Sequence, residues 1–368
     1  MLGSMGAEWI APGRLLVRPD ARRRDIARLA AKAEVVQFDE PLPASLSELV
    51  AEALRSRPQV ELYVYGHYGR TLDGELDFLR GFEHVERLSL NLNGLAGVEG
   101  LARFTALRTL TLQRIAKRNV SVAAIERATE LQRLSVDQPV RDLEVIRNLG
   151  ELTELHCPAA ATALASVEGH PSLRRVSLHF GTHRDLSALE SCPQLTDIDL
   201  WQIKQLTASD LRPVARVRNL DALAIGALRN VTTLSWLHDG SCRVRFLGVE
   251  KLPALDSFEP LIQCDQLVAF GAWNSRPADR KLAPLHDLPL VDLVLGDVYP
   301  TTEVHALLER CRARVRIRAR STGGEPALRW RALFAYADEY RASRSSQAAY
   351  APTLRTGQPP DESTTLLR

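Results

Sequence analysis

A chain of 368 residues, 45% hydrophobic and 25% charged, has the composition of a soluble globular protein with length for a large core. Its 47 basic and 45 acidic residues nearly cancel, so no global charge demands a nucleic acid or a membrane surface. No window approaches the roughly 18 uninterrupted apolar residues of a membrane span, and MLGSMGAEWIAPGRLL lacks the basic, apolar and small-residue succession of a secretion signal; the expectation is a cytoplasmic protein.

In chain order, residues 1–57 predict a β-α cap. GRLLVRP and AEVVQFDE read as strands, and Asp25 to Lys32 and Ser45 to Ser56 carry helical apolar spacing, with Pro43 and Ser45 as start signals. From about residue 58 to 320 one pattern recurs, apolar-x-x-apolar-x-apolar. It is seen in VERLSL from Val85, LRTLTL from Leu107, LQRLSV from Leu131, LTELHC from Leu152, LRRVSL from Leu173 and LTDIDL from Leu195. It continues in LDALAI from Leu220, VRFLGV from Val244, LVAFGA from Leu267 and LVDLVL from Leu290, with less regular units around Leu62 and Val315. The mean period is about 23 residues. Thr302 to Glu309 and Pro326 to Arg341 then read as helices, the second a cap over residues 321–342 whose apolar face can cover the last strand. The Ser, Gln, Pro and Thr content of residues 343–368 predicts disorder.

This pattern and period resemble the leucine-rich repeat family, in its short, bacterial, internalin-like class. The resemblance implies an α/β solenoid of about twelve repeats with a parallel β-sheet on the concave face, irregular loops and short helices on the convex face, and helical caps. It departs from the family at the asparagine after LxLxx, which stands at Asn93 but is replaced by Ile115, Pro139, Ala160, Gly181 and Ile203 in other repeats, so irregular turns are expected. Five cysteines, at 157, 192, 242, 264 and 311, form no close CxxC pair and read as reduced, buried thiols.

Strand alternation places the residues beside each inward LxL pair on the concave face, stacked in columns. One column runs Arg87, Thr109, Arg133, Glu154, Arg175, Asp197; the next runs Ser89, Thr111, Ser135, His156, Ser177, Asp199; a third ends in His179 and Trp201. Asp197 and Asp199 could be an acid pair, but Arg175 stands one strand before the first, and Ser177 and His179 near the second. A cross-strand ladder therefore accounts for them better than catalysis, or than a metal held by His156, His179 and Asp199. No GxSxG, phosphate loop, HExxH or Cys-His motif is present, and no catalytic residue, metal or cofactor is assigned.

Further on, the concave positions turn small, at Ala222, Ala224, Gly226, Gly248, Ala269 and Gly271, bracketed by Trp201, Phe246 and Trp273. Two readings stay open: a recess with aromatic anchors for a partner, or a face covered by a loop or by the C-terminal segment, with Phe246 turned inward if the register at Leu247 is one residue off. Tyr63, Tyr65, His67 and Tyr68 gather near the N-terminal rim as a contact surface or a polar-aromatic covering. RCRARVRIRAR sets Arg310, Arg312, Arg314, Arg316, Arg318 and Arg320 on one face of the last strand, a charged edge against strand addition or a site for nucleic acid or an acidic partner. The resemblance implies a non-enzymatic scaffold that binds a protein or peptide on the concave sheet, in a form that could include an inhibitor or immunity-type role. The residues expected to carry it are Trp201, Phe246, Trp273, Arg133, Glu154, His156, Arg175, His179, Asp197 and Asp199.

Overall fold

Each LxxLxL segment folds as a short strand, because its alternate leucines can leave water only by facing a common core. The structure, a computed structural model, describes residues 6–66, 76–92, 97–114, 120–240, 243–311, 313–318, 326–345 and 364–366. The chain divides into two compact units, Met1–Pro158 with Ala165–Leu173, and Ala159–Leu164 with Arg174–Arg368.

The first unit opens on a strand that the sequence reading did not foresee. β1 (Ala7–Ala11) pairs antiparallel with β2 (Arg14–Val17), joined by a turn in which Gly13 has a φ of +71°, a left-handed conformation that favours glycine. β2 pairs parallel with β3 (Val35–Phe38), and α1 (Arg23–Ala30) and α2 (Ala44–Arg55) pack together beside them. The repeats follow as β4 (Glu61–Gly66), β5 (Arg87–Leu92), β6 (Thr109–Gln113), β7 (Arg133–Val136) and β8 (Glu154–Ala159), parallel and in sequence order. The register stacks Leu62, Leu88, Leu110, Leu134 and Leu155 in one inward row. Single 3-10 turns, such as Glu99–Arg103 and Ala123–Arg127, close the back of this core with Leu101 and Ile125. Burial of each such side chain is worth about 1.5–3 kcal/mol.

The boundary between the units runs through α3 (Ala161–Val167). In the second unit β9 (Arg175–Gly181), β10 (Asp197–Trp201), β11 (Ala222–Gly226), β12 (Phe246–Glu250), β13 (Ala269–Trp273), β14 (Asp292–Gly296) and β15 (Arg314–Arg318) run parallel in order. Leu223, Leu247 and Phe270 share an inward row, so Phe246 faces the open side and the LxxLxL register holds at Leu247. Short α4 (Arg212–Ala215) and α5 (Thr301–Arg310) lie in the connections. Four successive strands, β10 to β13, are followed by a left-handed residue, Gln202, Ala227, Lys251 and Asn274, with φ of 52°, 53°, 51° and 48°. Each immediately precedes the position where the resemblance expects asparagine, held here by the buried Ile203, Leu228, Leu252 and Ser275, and the left-handed backbone costs about 1–2 kcal/mol per residue. Asn93 lies outside the described residues.

The long last helix, α6 (Pro326–Ser345), extends past the Arg341 end read from the sequence. β16 (Thr364–Leu366) pairs antiparallel with β15 within the tail expected to be disordered. Among the described residues no helix is long and apolar enough to cross a membrane. Cysteine chemistry corrects the all-thiol reading: Cys157, Cys192 and Cys311 are free, but Cys264 is disulfide-bonded. Spacing in the sequence could not show that approach, because a disulfide requires two Cα atoms to lie within about 7 Å in space.

Candidate functional site

The open face of the second unit is built from the residues that alternate with its inward rows. Asp197, Ala222, Phe246, Ala269, Asp292 and Arg314 form one cross-strand row, and Trp201, Gly226, Glu250 and Trp273 another. The small residues do not leave a void. A Cβ at Gly226 would run into the Trp201 ring and one at Gly271 into the Trp273 ring, so each indole is packed directly against a neighbouring glycine. Lys251 Nζ sits 5.6 Å from the centre of the Trp201 ring.

α6 lies across this surface, against β11 and β12. Its Leu333, Phe334, Tyr336 and Ala337 join Trp201, Ala222, Ala224, Phe246, Ala269, Trp273 and Val294 in one apolar cluster. Their spacing, with Tyr340 one turn further, is that of a helix face. Phe246 meets Tyr336 edge-on at 5.7 Å between ring centres and Tyr340 at 5.4 Å, and its own exposure is 0%. Trp201 and Trp273 keep only 6% and 8%. Trp201, Phe246 and Trp273 are therefore brought together, but beneath the chain's own C-terminal segment, the second of the two readings left open by the sequence. The described side chains of α6 lie over β10–β14.

Charges fix the helix in register. Arg175 donates to Asp197 at 2.6 Å and to Asp338 of α6 at 3.1 Å, and its guanidinium lies 4.9 Å from the Phe334 ring centre. Arg341 donates to both oxygens of Asp197, and to Asp221 at 2.7 Å. Arg245 also pairs with Asp221 and lies 5.5 Å from the Tyr340 ring centre. Burial alone would lower the Arg341 pKa, but the Asp197 and Asp221 carboxylates outweigh it and hold the pKa above its ordinary value. The same balance, with Asp197 and Asp338, raises that of Arg175. His179 Nε2 lies 2.6 Å from Asp199 Oδ2. Among the described residues no three His, Cys, Asp or Glu side chains are placed to hold a metal ion.

The basic strand is organised differently from the sequence expectation. Arg310 ends α5 and is not on β15, Arg314 and Arg316 both donate to the buried Asp292, and Arg316 is itself buried. Arg312 and Arg320 lie outside the described residues, as does the side chain of Arg318. Two of the cations offered for phosphate binding thus share one buried carboxylate, which offsets one of their two charges, and Arg316 is withdrawn from solvent.

In the first unit the residues that alternate with the inward leucines range from buried, at Gln37 and Ser89, to exposed. Arg133 is exposed and donates to Thr109 at 3.0 Å, and Glu154 and His156 are half-buried. Tyr63 and Tyr65 stack at 5.4 Å, with Asn91 donating to Tyr63 Oη and Arg14 over its ring. His67 and Tyr68 lie outside the described residues. The sequence reading missed Asp221, Asp292, Arg245 and the α6 residues. Continuing the first column past Asp197 reaches Asp292 and Arg314, so that pair was within reach.

Parallel strands of period-23 LxxLxL units, closed at the back by 3-10 turns, make a leucine-rich repeat solenoid fold. No family model matches the sequence, and no curated protein does. Among solved structures, an internalin from Listeria monocytogenes is similar, with a TM-score of 0.52 at 18% identity over 85% of this chain and 87% of that one. A TLR13–ssRNA13 complex gives 0.52 at 13% identity over 83% of this chain, which spans 54% of that one. Identities this low speak for the fold alone.

Proposed function

We propose that the protein is a non-enzymatic interaction scaffold that holds a protein or peptide on the open face of its sheet. The observation that carries this reading is that the face already holds a helix: α6 seats an apolar stripe on the Trp201, Phe246 and Trp273 surface and locks it with Arg341. A surface that packs one amphipathic helix through aromatic anchors and paired charges has the chemistry of a helix-in-groove receptor. Arg175, His179, Asp197 and Asp199 are the polar groups of this surface in the second unit; the first unit carries Arg133, Glu154 and His156 as polar groups of its own. Shielding a toxin or an enzyme is one form that such a scaffold takes. The nucleic-acid alternative draws on Arg314 and Arg316, which are both held by Asp292 with Arg316 buried, and is not carried further.

The proposed compartment is the cytoplasm, supported by three free thiols among the described cysteines; the Cys264 disulfide is the feature that opposes it. Photo-crosslinking residues installed at Arg133 and His156, on the open face, and at Glu126 and Ile262, on the back, test the binding mode. Adducts from the face alone support it, and adducts confined to the back overturn it.

A further inference from the structure

We propose that the open face of β10–β14 is a docking groove for an amphipathic partner helix, and that α6 is its displaceable internal occupant. The partner would carry phenylalanine where α6 has Tyr336, and arginine where it has Arg341. This rests on the reading of the sheet face as an interaction surface.

The floor of the groove, Trp201, Ala222, Ala224, Phe246, Ala269 and Trp273, is a contiguous apolar patch that water cannot cover cheaply, so some helix must occupy it. Its charged end selects what kind. Asp197 and Asp221 are both buried and each already has a sheet arginine, Arg175 and Arg245. α6 adds one carboxylate, Asp338, and one cation, Arg341, that reaches all three acids, so a helix with the acid but no cation there leaves three carboxylates against two arginines.

α6 is nevertheless an imperfect ligand. Tyr336 keeps 1% exposure, and its hydroxyl, buried against the sheet, finds no hydrogen-bond partner among the described residues. Burial, with the nearby Asp292 charge, pushes that hydroxyl up to about 12. A buried, unpaired hydroxyl weakens the seat, whereas a phenylalanine of the same shape leaves nothing unsatisfied. Ala337, at 0% exposure, requires a small residue next. The preferred partner therefore presents, in order, phenylalanine, alanine, aspartate for Arg175, one unconstrained residue, an aromatic and arginine, the Tyr336–Arg341 pattern with its one defect repaired.

The test uses the full-length protein and labelled peptides of residues 326–345. The Tyr336→Phe peptide is expected to bind about tenfold more tightly than the native sequence, and a Tyr336→Phe, Arg341→Glu peptide to lose that binding. A full-length Tyr340→Ala variant, with α6 loosened, should bind both productive peptides more tightly than the wild type. Hydrogen exchange on the wild-type chain keeps the idea testable without any variant: α6 amides should exchange ahead of those in β10–β13, and faster still when the phenylalanine peptide is added. Peptide binding that leaves α6 exchange unchanged, or α6 amides that exchange only together with the strands, overturns the proposal. Exchange of α6 between two copies, seen as a concentration-dependent dimer, overturns the choice of a partner helix as occupant. If face-specific crosslinks appear while α6 opens only with the sheet, the scaffold reading stands and this one falls.

Discussion

Arg341 of the last helix and Asp197 of β10 stand 144 residues apart in sequence and share two hydrogen bonds. The contact ties the C-terminal segment to a repeat in the middle of the chain, and Asp221 gives Arg341 a second anchor at 2.7 Å. Replacing Arg341 by alanine leaves two buried carboxylates with one cation each and should cost about 1–3 kcal/mol, less than removal of a sole partner. Urea denaturation of the Arg341→Ala chain measures this. A loss under about 0.5 kcal/mol would mean that the pairs contribute register and no net stability.

Gly226 is predicted to be intolerant of any side chain. Because a Cβ there meets the Trp201 ring, Gly226→Ala should destabilise by about 1–3 kcal/mol. Trp201→Leu would remove the obstacle, so the double variant should be more stable than the sum of the two single losses requires. Strict additivity in the thermal or urea data would show that the indole does not define the glycine requirement.

His170 provides a pH signature in the first unit. It is buried, its Nε2 lies 3.0 Å from the Ile146 carbonyl, and burial holds its pKa below the ordinary 6.5. With the folded-state pKa depressed, the unfolded chain takes up the proton first as pH falls. The stability due to neutral His170 is therefore complete above pH 6.5 and is lost as pH drops from there through the folded value. Melts at pH 7.5 and 5.5 should show a larger fall for the wild type than for His170→Gln, and equal falls would remove this role.

Thiol reactivity should follow burial. Cys157 is buried and its thiol is pushed up to about 12, whereas Cys311 is half-buried at the end of α5. Brief iodoacetamide treatment of the native protein should therefore label Cys311 and spare Cys157, and peptide mapping that finds Cys157 modified first would contradict this.

The repeating strands were legible because a two-residue alternation of leucines leaves only one face to bury, and the rows Leu223, Leu247, Phe270 and Asp197, Ala222, Phe246 fall where that alternation puts them. The candidate site was half legible. Its sheet residues lie at the expected positions, and the run of Ala222, Ala224, Ala269 and Gly271 marked a recess that either a partner or the chain's own C-terminal segment could fill. What fills the space was not legible, since the helical face of Leu333, Tyr336, Ala337 and Tyr340 fits any apolar surface and periodicity does not say which. Only the long-range matches, Arg175 with Asp338 and Arg341 with Asp197 and Asp221, settle its seat. β1 was missed because AEWIA is too short to show alternation.

Residues 319–325 join β15 to α6, so the helix never leaves the neighbourhood of its own seat. A tether that short gives an effective concentration on the order of millimolar. An external helix with contacts no better than those of α6 must reach that concentration to win half the sites, which silences weak, chance competitors. Selectivity at this face is thus set as much by what is already attached as by what the sheet displays.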